Sequence, residues 1–197
     1  MSDEEKVVSW FEENYKSLLF GVVIGLIILF GYKSYLSSQN RVQLELSRQF
    51  DVAVTSYQKG STSEILSFSK SNMLDNSDNI YTSLANLYSA KIMYLEDKLD
   101  QSYLFLDHII LHSDDNEIVN IAKYRKAKLL IEEMKYEQAH TLLGNDSDNY
   151  QHIELIGDLH YLQNNDDEAL RYYNKVLAYA ITPNEKKNIL AKINFIK

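Results

Sequence analysis

The sequence predicts an all-α fold, in which a single N-terminal transmembrane helix is followed by an α-solenoid of short helices. Three observations support this. The 197 residues include one proline and six glycines, so the chain has few residues that break helices. An uncharged apolar run near the N-terminus is long enough to cross a bilayer. In the second half, small residues recur at fixed spacings, as expected for helices that pack closely in pairs.

The apolar run covers residues 17–32 and contains no acidic, basic or amide side chain. As a helix it rises about 24 Å, and the next residues extend it towards the roughly 30 Å thickness of a bilayer core. Aromatic residues flank the run on both sides, as at two membrane interfaces. These are Trp10, Phe11, Tyr15, Tyr32 and Tyr35. We therefore predict a transmembrane helix over 17–36. The alternatives are a buried soluble helix and a cleaved signal peptide, but the acidic residues before the run are unlike a signal peptide.

Two glycines lie within the predicted span. Gly21 and Gly25 are four residues apart, a spacing that lets two helix backbones approach closely in lipid. A neighbouring membrane protein and a second copy of the chain are equal alternatives for the partner in such a contact. Positive charges are nearly balanced on the two sides of the span, so charge alone does not fix its orientation.

Composition and motifs exclude several classes of function. Without cysteine, the chain has no disulfide, no cysteine zinc site and no thiol nucleophile. After Leu36 there are 23 acidic and 17 basic residues, a balance that argues against nucleic acid as a partner. No nucleophile or phosphate-binding motif is present, so we predict no enzyme and no cofactor. His108 and His112 could face one metal ion from a single helix, but no third ligand is fixed, so we predict no metal site.

Three segments share one pattern of small residues. In each, two small residues are twelve positions apart with a polar turn between them, and a large apolar residue follows the second by four positions. The pairs are Ala90 with Ser102, Ala127 with Ala139, and Gly157 with Ala169, and the large residues are Leu106, Leu143 and Tyr173. Because closely crossing antiparallel helices need a small residue on each, every segment predicts a helical hairpin. The units recur after 37 and 30 residues, near the period of about 34 in tetratricopeptide repeats. An unrelated helical bundle is the alternative.

These features divide the chain into five predicted segments. They are an amphipathic lead (1–16), the transmembrane helix (17–36), a linker with N-terminal helices (37–80), tetratricopeptide-like repeats (81–183) and a C-terminal capping helix (184–197). We expect residues 37–40 to form a polar link and residues 61–63 to cap a short helix that ends at Asn72. The capping helix is expected to place four apolar residues on one face. These are Ile189, Leu190, Ile193 and Ile196.

The layout resembles the YfgM family, ancillary subunits of the SecYEG translocon in Gram-negative bacteria. The likeness is carried by VVSWFEENYKSLLFGVVIGLIILFGYKSY at the front and by ELIGDLHYLQNNDDEALRYYNKVLAYAITP and AKINFI at the end, while the middle repeats diverge. The resemblance implies a single-pass inner-membrane protein with a cytoplasmic N-terminus and a periplasmic repeat domain. It also implies association with SecYEG and the membrane-anchored periplasmic chaperone PpiD, and a role in passing exported client proteins to periplasmic chaperones.

In tetratricopeptide folds the first helix of each pair lines a groove that can bind peptides. The predicted groove residues are Leu84, Leu87, Lys91 and Tyr94 in the first unit, Ile121, Tyr124, Lys128 and Ile131 in the second, and Glu154, Asp158 and Tyr161 in the third. The alternative is that half of them pack between repeats. Two functions fit this prediction: an adaptor at the translocon, or an envelope scaffold for division or outer-membrane assembly.

Overall fold

A computed structural model describes residues 3–144, 148–179 and 181–196. Over these residues the chain forms nine α-helices and no strand. The helices are α1 (Asp3–Gln58), α2 (Ser63–Asn72), α3 (Ile80–Leu95), α4 (Leu99–His112), α5 (Asn116–Glu132), α6 (Tyr136–Leu143), α7 (Tyr150–Leu162), α8 (Asp166–Val176) and α9 (Pro183–Ile196). The chain divides into two compact units after Asp51, so α1 begins in the first unit and ends in the second.

The first unit contains the long N-terminal part of α1. Among the residues described, α1 is the one helix that is long and apolar enough to span a membrane by length and composition. The described side chains between Leu19 and Leu36 are all exposed. The amphipathic face predicted for residues 1–16 lies mostly outside the described side chains.

The polar link expected over residues 37–40 is helical, so that prediction is wrong. Helix α1 continues through these residues to Gln58 without a break. The reason is that serine, glutamine and asparagine lower helix stability by well under about 1 kcal/mol each. No glycine or proline occurs between Lys33 and Gln58 to end the helix.

The second compact unit, residues 52–197, contains the three predicted hairpins. They are α3 with α4, α5 with α6, and α7 with α8, and we call each hairpin a repeat unit. All six small residues of the predicted crossings are buried, which confirms the twelve-residue pattern. At the first crossing the Ser102 hydroxyl donates a hydrogen bond to the Ala90 carbonyl at 2.9 Å, so the serine is a small residue without an unpaired polar group. Leu106, Leu143 and Tyr173 are buried behind the crossings.

The three hairpin turns have the same backbone geometry. Asp97, Met134 and Asn164 have φ of 59°, 60° and 61°, and each follows the first small residue of its pair by seven positions. In each turn the next residue donates its N–H to a carbonyl five residues earlier, at 2.8 to 2.9 Å. This is the Schellman motif, in which one residue with left-handed backbone angles ends an α-helix and carbonyls at the helix terminus are satisfied.

A fourth turn of the same kind ends α1 and was not predicted as part of the repeat. Gly60 has φ of 94° and follows buried Ala53 by seven positions. The expected cap at residues 61–63 is wrong. Thr62 already has helical backbone angles and no side-chain cap bond, and the Ser61 and Ser63 hydroxyls donate instead to the Glu64 carboxylate at 2.6 and 2.7 Å.

Helix α9 is the last helix of the second compact unit. It begins at Pro183 with reciprocal hydrogen bonds between Thr182 and Glu185, an arrangement that satisfies two backbone donors at the helix start. Ile189 and Ile193 are buried, whereas Leu190 is 41% exposed, so Leu190 does not lie on the predicted apolar face. Residues four apart share a helix face, but adjacent residues are rotated by about 100°.

Candidate functional site

Helices α3, α5 and α7 contact each other in a row. Helix α4 joins α3 to α5, α6 joins α5 to α7, and α8 joins α7 to α9. Of the eleven residues predicted for the groove, ten keep exposed surface. They are Leu84, Lys91, Tyr94, Ile121, Tyr124, Lys128, Ile131, Glu154, Asp158 and Tyr161. Leu87 is only 7% exposed and has little surface to offer a partner. We call the exposed surface of these ten residues the groove face, and its role in binding remains a prediction.

An open cavity of about 210 Å³ lies between α3 and α5. Its floor is formed by buried side chains and its rim by exposed ones. The floor residues are Ala90, Ser102, Leu106 and Leu129, and the rim residues are Lys91, Tyr94, Arg125, Lys128 and Glu132. Three predicted groove residues, from two repeat units, are thus brought together at one cavity.

Arg125 and Glu132 belong to this rim but were missed by the sequence analysis. The Tyr94 hydroxyl donates to Glu132 Oε2 at 2.9 Å and thereby joins α3 to α5. This hydrogen bond to a carboxylate raises the pKa of Tyr94. Arg125 Nη1 donates to the Leu87 carbonyl at 3.1 Å. A signal was available, since Arg125 lies three residues before Lys128 and Glu132 lies four residues after it, spacings that place side chains on one helix face.

At the other end of the groove face, the carboxylates of Glu154 and Asp158 bind Lys192 of α9. Lys192 Nζ lies 2.6 Å from Glu154 Oε1 and 2.6 Å from Asp158 Oδ1. Burial alone would lower the pKa of Lys192, but the hydrogen bonds to the two carboxylates outweigh it and the pKa is raised. The Tyr173 hydroxyl donates to Asp158 Oδ1 at 2.7 Å. Burial and this bond both raise the Tyr173 pKa.

Helix α9 also packs against apolar side chains of the third repeat unit (α7 and α8). The rings of Tyr161 and Phe195 meet edge to face with centroids 6.1 Å apart. An open cavity of about 320 Å³ lies beside them, lined also by Asp158, Tyr173 and Lys192. The predicted groove side chains of the third repeat unit therefore contact the capping helix α9. Among the described residues, no helix covers the cavity between α3 and α5 in the same way.

Of the two histidines considered as metal ligands, His108 has another role in the structure. His108 Nε2 lies 2.8 Å from the Met73 carbonyl, and His108 Nδ1 lies 3.0 Å from Asn86 Nδ2. Nε2 therefore carries the proton and Nδ1 accepts, since a carbonyl can only accept and an amide NH₂ only donates. Asn86 Oδ1 accepts a hydrogen bond from the Ser69 hydroxyl. This buried chain joins α2, α3 and α4. No group of three metal-ligating side chains occurs in the described parts of the chain.

Comparison with known families agrees with this geometry. A family model described as a tetratricopeptide repeat-like domain matches residues 8–197. Searches of curated proteins and of solved structures found no match. The family match covers the hairpins, the groove face and nearly all of α1, and folds of this kind are typically non-catalytic scaffolds for protein interaction. The chain therefore belongs to the tetratricopeptide repeat-like domain family.

Proposed function

We propose that the chain is a membrane-tethered adaptor that binds segments of partner proteins on its groove face. The observation that carries the proposal is the open cavity between α3 and α5, because it combines a buried apolar floor with an exposed polar rim. Peptide-binding sites on helical scaffolds have this combination, in which apolar pockets give affinity and polar groups give orientation.

The tether is the apolar part of α1. Tethering raises the local concentration of a partner site near the membrane into roughly the millimolar range for short linkers. A groove of modest affinity can then be occupied without large buried area. This suits a scaffold that must take up and release several partners.

The proposed partners follow from the likeness to the YfgM family at the two ends of the chain. They are the SecYEG translocon, a PpiD-like periplasmic chaperone and exported client proteins. In this proposal the span lies in a bacterial inner membrane, the N-terminus is cytoplasmic and the repeat domain is periplasmic. The adaptor helps to pass exported proteins to periplasmic chaperones.

Photo-crosslinking from a single position tests the proposal. A photoreactive residue replaces Ile121, which is exposed on the groove face, and a control replaces Leu104, which is exposed on α4. We expect translocon subunits or exported proteins to be captured from Ile121 and not from Leu104. Equal capture at both positions contradicts a role for the groove. Capture only of proteins for division or outer-membrane assembly contradicts the translocon assignment.

The orientation has its own test. An alkaline phosphatase fused to the C-terminus is active only in the periplasm, whereas a fluorescent protein that matures only in the cytoplasm reports the opposite. The proposal predicts phosphatase activity without fluorescence, and the reverse result contradicts a periplasmic repeat domain.

A further inference from the structure

The rim of the cavity between α3 and α5 carries three positive charges and one negative charge. Lys91 and Lys128 occupy equivalent positions, each following the first small residue of its helix pair, and Arg125 lies on the same rim. Glu132 is the single carboxylate in the lining. Within the described residues, no ion pair joins any of the three cations to a carboxylate.

The positive rim contrasts with the chain as a whole, whose formal net charge is −8. Several other lysines of the second compact unit pair with carboxylates, as Lys126 does with Asp107 and Lys192 does with Glu154. In the third repeat unit, Asp158 occupies the position equivalent to Lys91 and Lys128, and it forms an ion pair with Lys192. In the described part of the chain, the charged groove-face residues without an ion-pair partner are therefore Lys91 and Lys128, and both lie at this cavity.

The floor of the cavity favours an apolar group, in contrast to the charged rim. Ala90, Leu106 and Leu129 are apolar and buried, and the Ser102 hydroxyl is already bonded to the Ala90 carbonyl. The side chains of the floor thus present no free hydrogen-bond donor. A volume of about 210 Å³ has room for one aliphatic or aromatic side chain.

We propose that this cavity anchors an acidic, extended segment of a partner protein. One apolar side chain of the segment enters the floor, and acidic side chains on either side of it bind Lys91, Lys128 and Arg125. Charge-assisted hydrogen bonds of this kind are stronger than neutral ones. The inference rests on the proposed groove function, because it names the chemistry of the segment that the groove takes. A phosphate chain would satisfy the rim but would leave the apolar floor empty.

Fluorescence anisotropy on the full-length protein in detergent micelles tests the inference. The probe is a fluorescein-labelled peptide in which aspartates flank a leucine, and the reference peptide has asparagines in place of the aspartates. We expect the aspartate peptide to bind about tenfold more tightly, as one or two charge-assisted bonds imply. The difference should shrink with added salt, which screens exposed charges.

Matched charge-reversal variants locate the site. Lys91→Glu/Lys128→Glu should weaken binding of the aspartate peptide by about tenfold or more. The control, Lys175→Glu/Lys187→Glu, makes the same change in net charge at two exposed lysines that do not line this cavity, and it should bind as the unmodified protein does. Both rim lysines are exposed, so circular dichroism should show unchanged helix content in every variant.

Four outcomes overturn the inference: equal affinity for the two peptides, equal loss in the two double variants, no binding of either peptide, or a single-stranded oligonucleotide that binds more tightly than the aspartate peptide. The groove function is judged separately by crosslinking at Ile121. Capture at Ile121 with equal peptide affinities means that the groove binds partners without a preference for acidic segments. Absence of capture at Ile121 means that the groove function itself has failed.

Discussion

A Cβ atom on Gly157 would lie 2.7 Å from Cε1 of the Tyr173 ring and 2.8 Å from its Cδ1. The ring has no room to move away, because Tyr173 is 2% exposed and its hydroxyl is held by Asp158 at 2.7 Å. Helices α7 and α8 therefore cross more closely than any residue other than glycine permits at position 157.

Overpacking a core usually costs about 1–3 kcal/mol, and alanine offsets roughly 1 kcal/mol of this through helix propensity. Gly157→Ala should therefore lower the free energy of unfolding by up to about 2 kcal/mol. Urea unfolding of the full-length protein in detergent, followed by circular dichroism, measures it. In a Tyr173→Leu background the ring is absent, so the same change should be neutral or stabilising. An equal loss in both backgrounds contradicts the ring contact as its cause.

Lys192→Met should loosen the capping helix. The variant leaves Glu154 and Asp158 as neighbouring carboxylates without a cation. We expect a loss of about 1–2 kcal/mol in the free energy of unfolding, kept small because Lys192 is 33% exposed and solvent screens the pair. Hydrogen exchange of the α9 amides should become faster. Lys187→Met, at an exposed position of the same helix, is the control, and an equal effect there argues against the Lys192 contacts.

Met134→Asn should stabilise the second hairpin. Met134 has φ of 60°, a conformation that costs most side chains about 1 kcal/mol and that asparagine tolerates better. The equivalent turn positions hold Asp97 and Asn164, and Met134 is 75% exposed, so little packing is lost. We expect a gain of about 0.5–1 kcal/mol in urea unfolding. Met134→Ala keeps the unfavourable φ and should give no gain; a similar gain in both variants refutes the explanation.

Acid should destabilise the repeat domain already below about pH 6.5. Burial lowers the pKa of His108, His152 and His160 below the ordinary value of 6.5. The unfolded chain then takes up protons at a higher pH than the folded chain, so the free energy of unfolding falls as the pH falls. The stabilisation is complete above about pH 6.5 and is lost as the pH passes through the lowered pKa values.

Urea unfolding between about pH 7.5 and pH 5 measures this effect. Carboxylates whose pKa is lowered, such as Glu185, lose their contribution only below their ordinary value of 4.5, so this window isolates the histidines. His152→Gln removes one buried titrating group and should reduce the pH dependence. A free energy of unfolding that stays constant across the window contradicts the neutral state of the three histidines.

The hairpins could be predicted from the sequence because their cause is local. A close helix crossing requires small residues, and the turn between the helices fixes their spacing at twelve, so Ala127 and Ala139 predict their own contact. The helix end at Gly60 was expected, but the turn was not recognised as part of the repeat because Ile65, twelve residues after Ala53, is not small. The link at 37–40 was expected from polarity, but polar residues alone do not end a helix.

The charges of the groove face could be predicted only in part. Lys91 and Lys128 follow from the repeat register. The bonds from Tyr94 to Glu132 and from Lys192 to Glu154 each join residues 38 positions apart, and they depend on how far neighbouring helices are shifted along each other. No spacing rule gives that shift when the repeat period itself varies between 37 and 30 residues.

Fractionation of cells that produce the full-length protein tests most directly whether α1 holds the docking surface at a membrane. We expect the protein to stay in the membrane pellet after an alkaline carbonate wash and to be released only by detergent, because residues 17–32 carry no charged side chain. A chain without residues 1–36 should move to the supernatant. Recovery of the full-length protein in the carbonate supernatant would contradict a membrane-tethered adaptor.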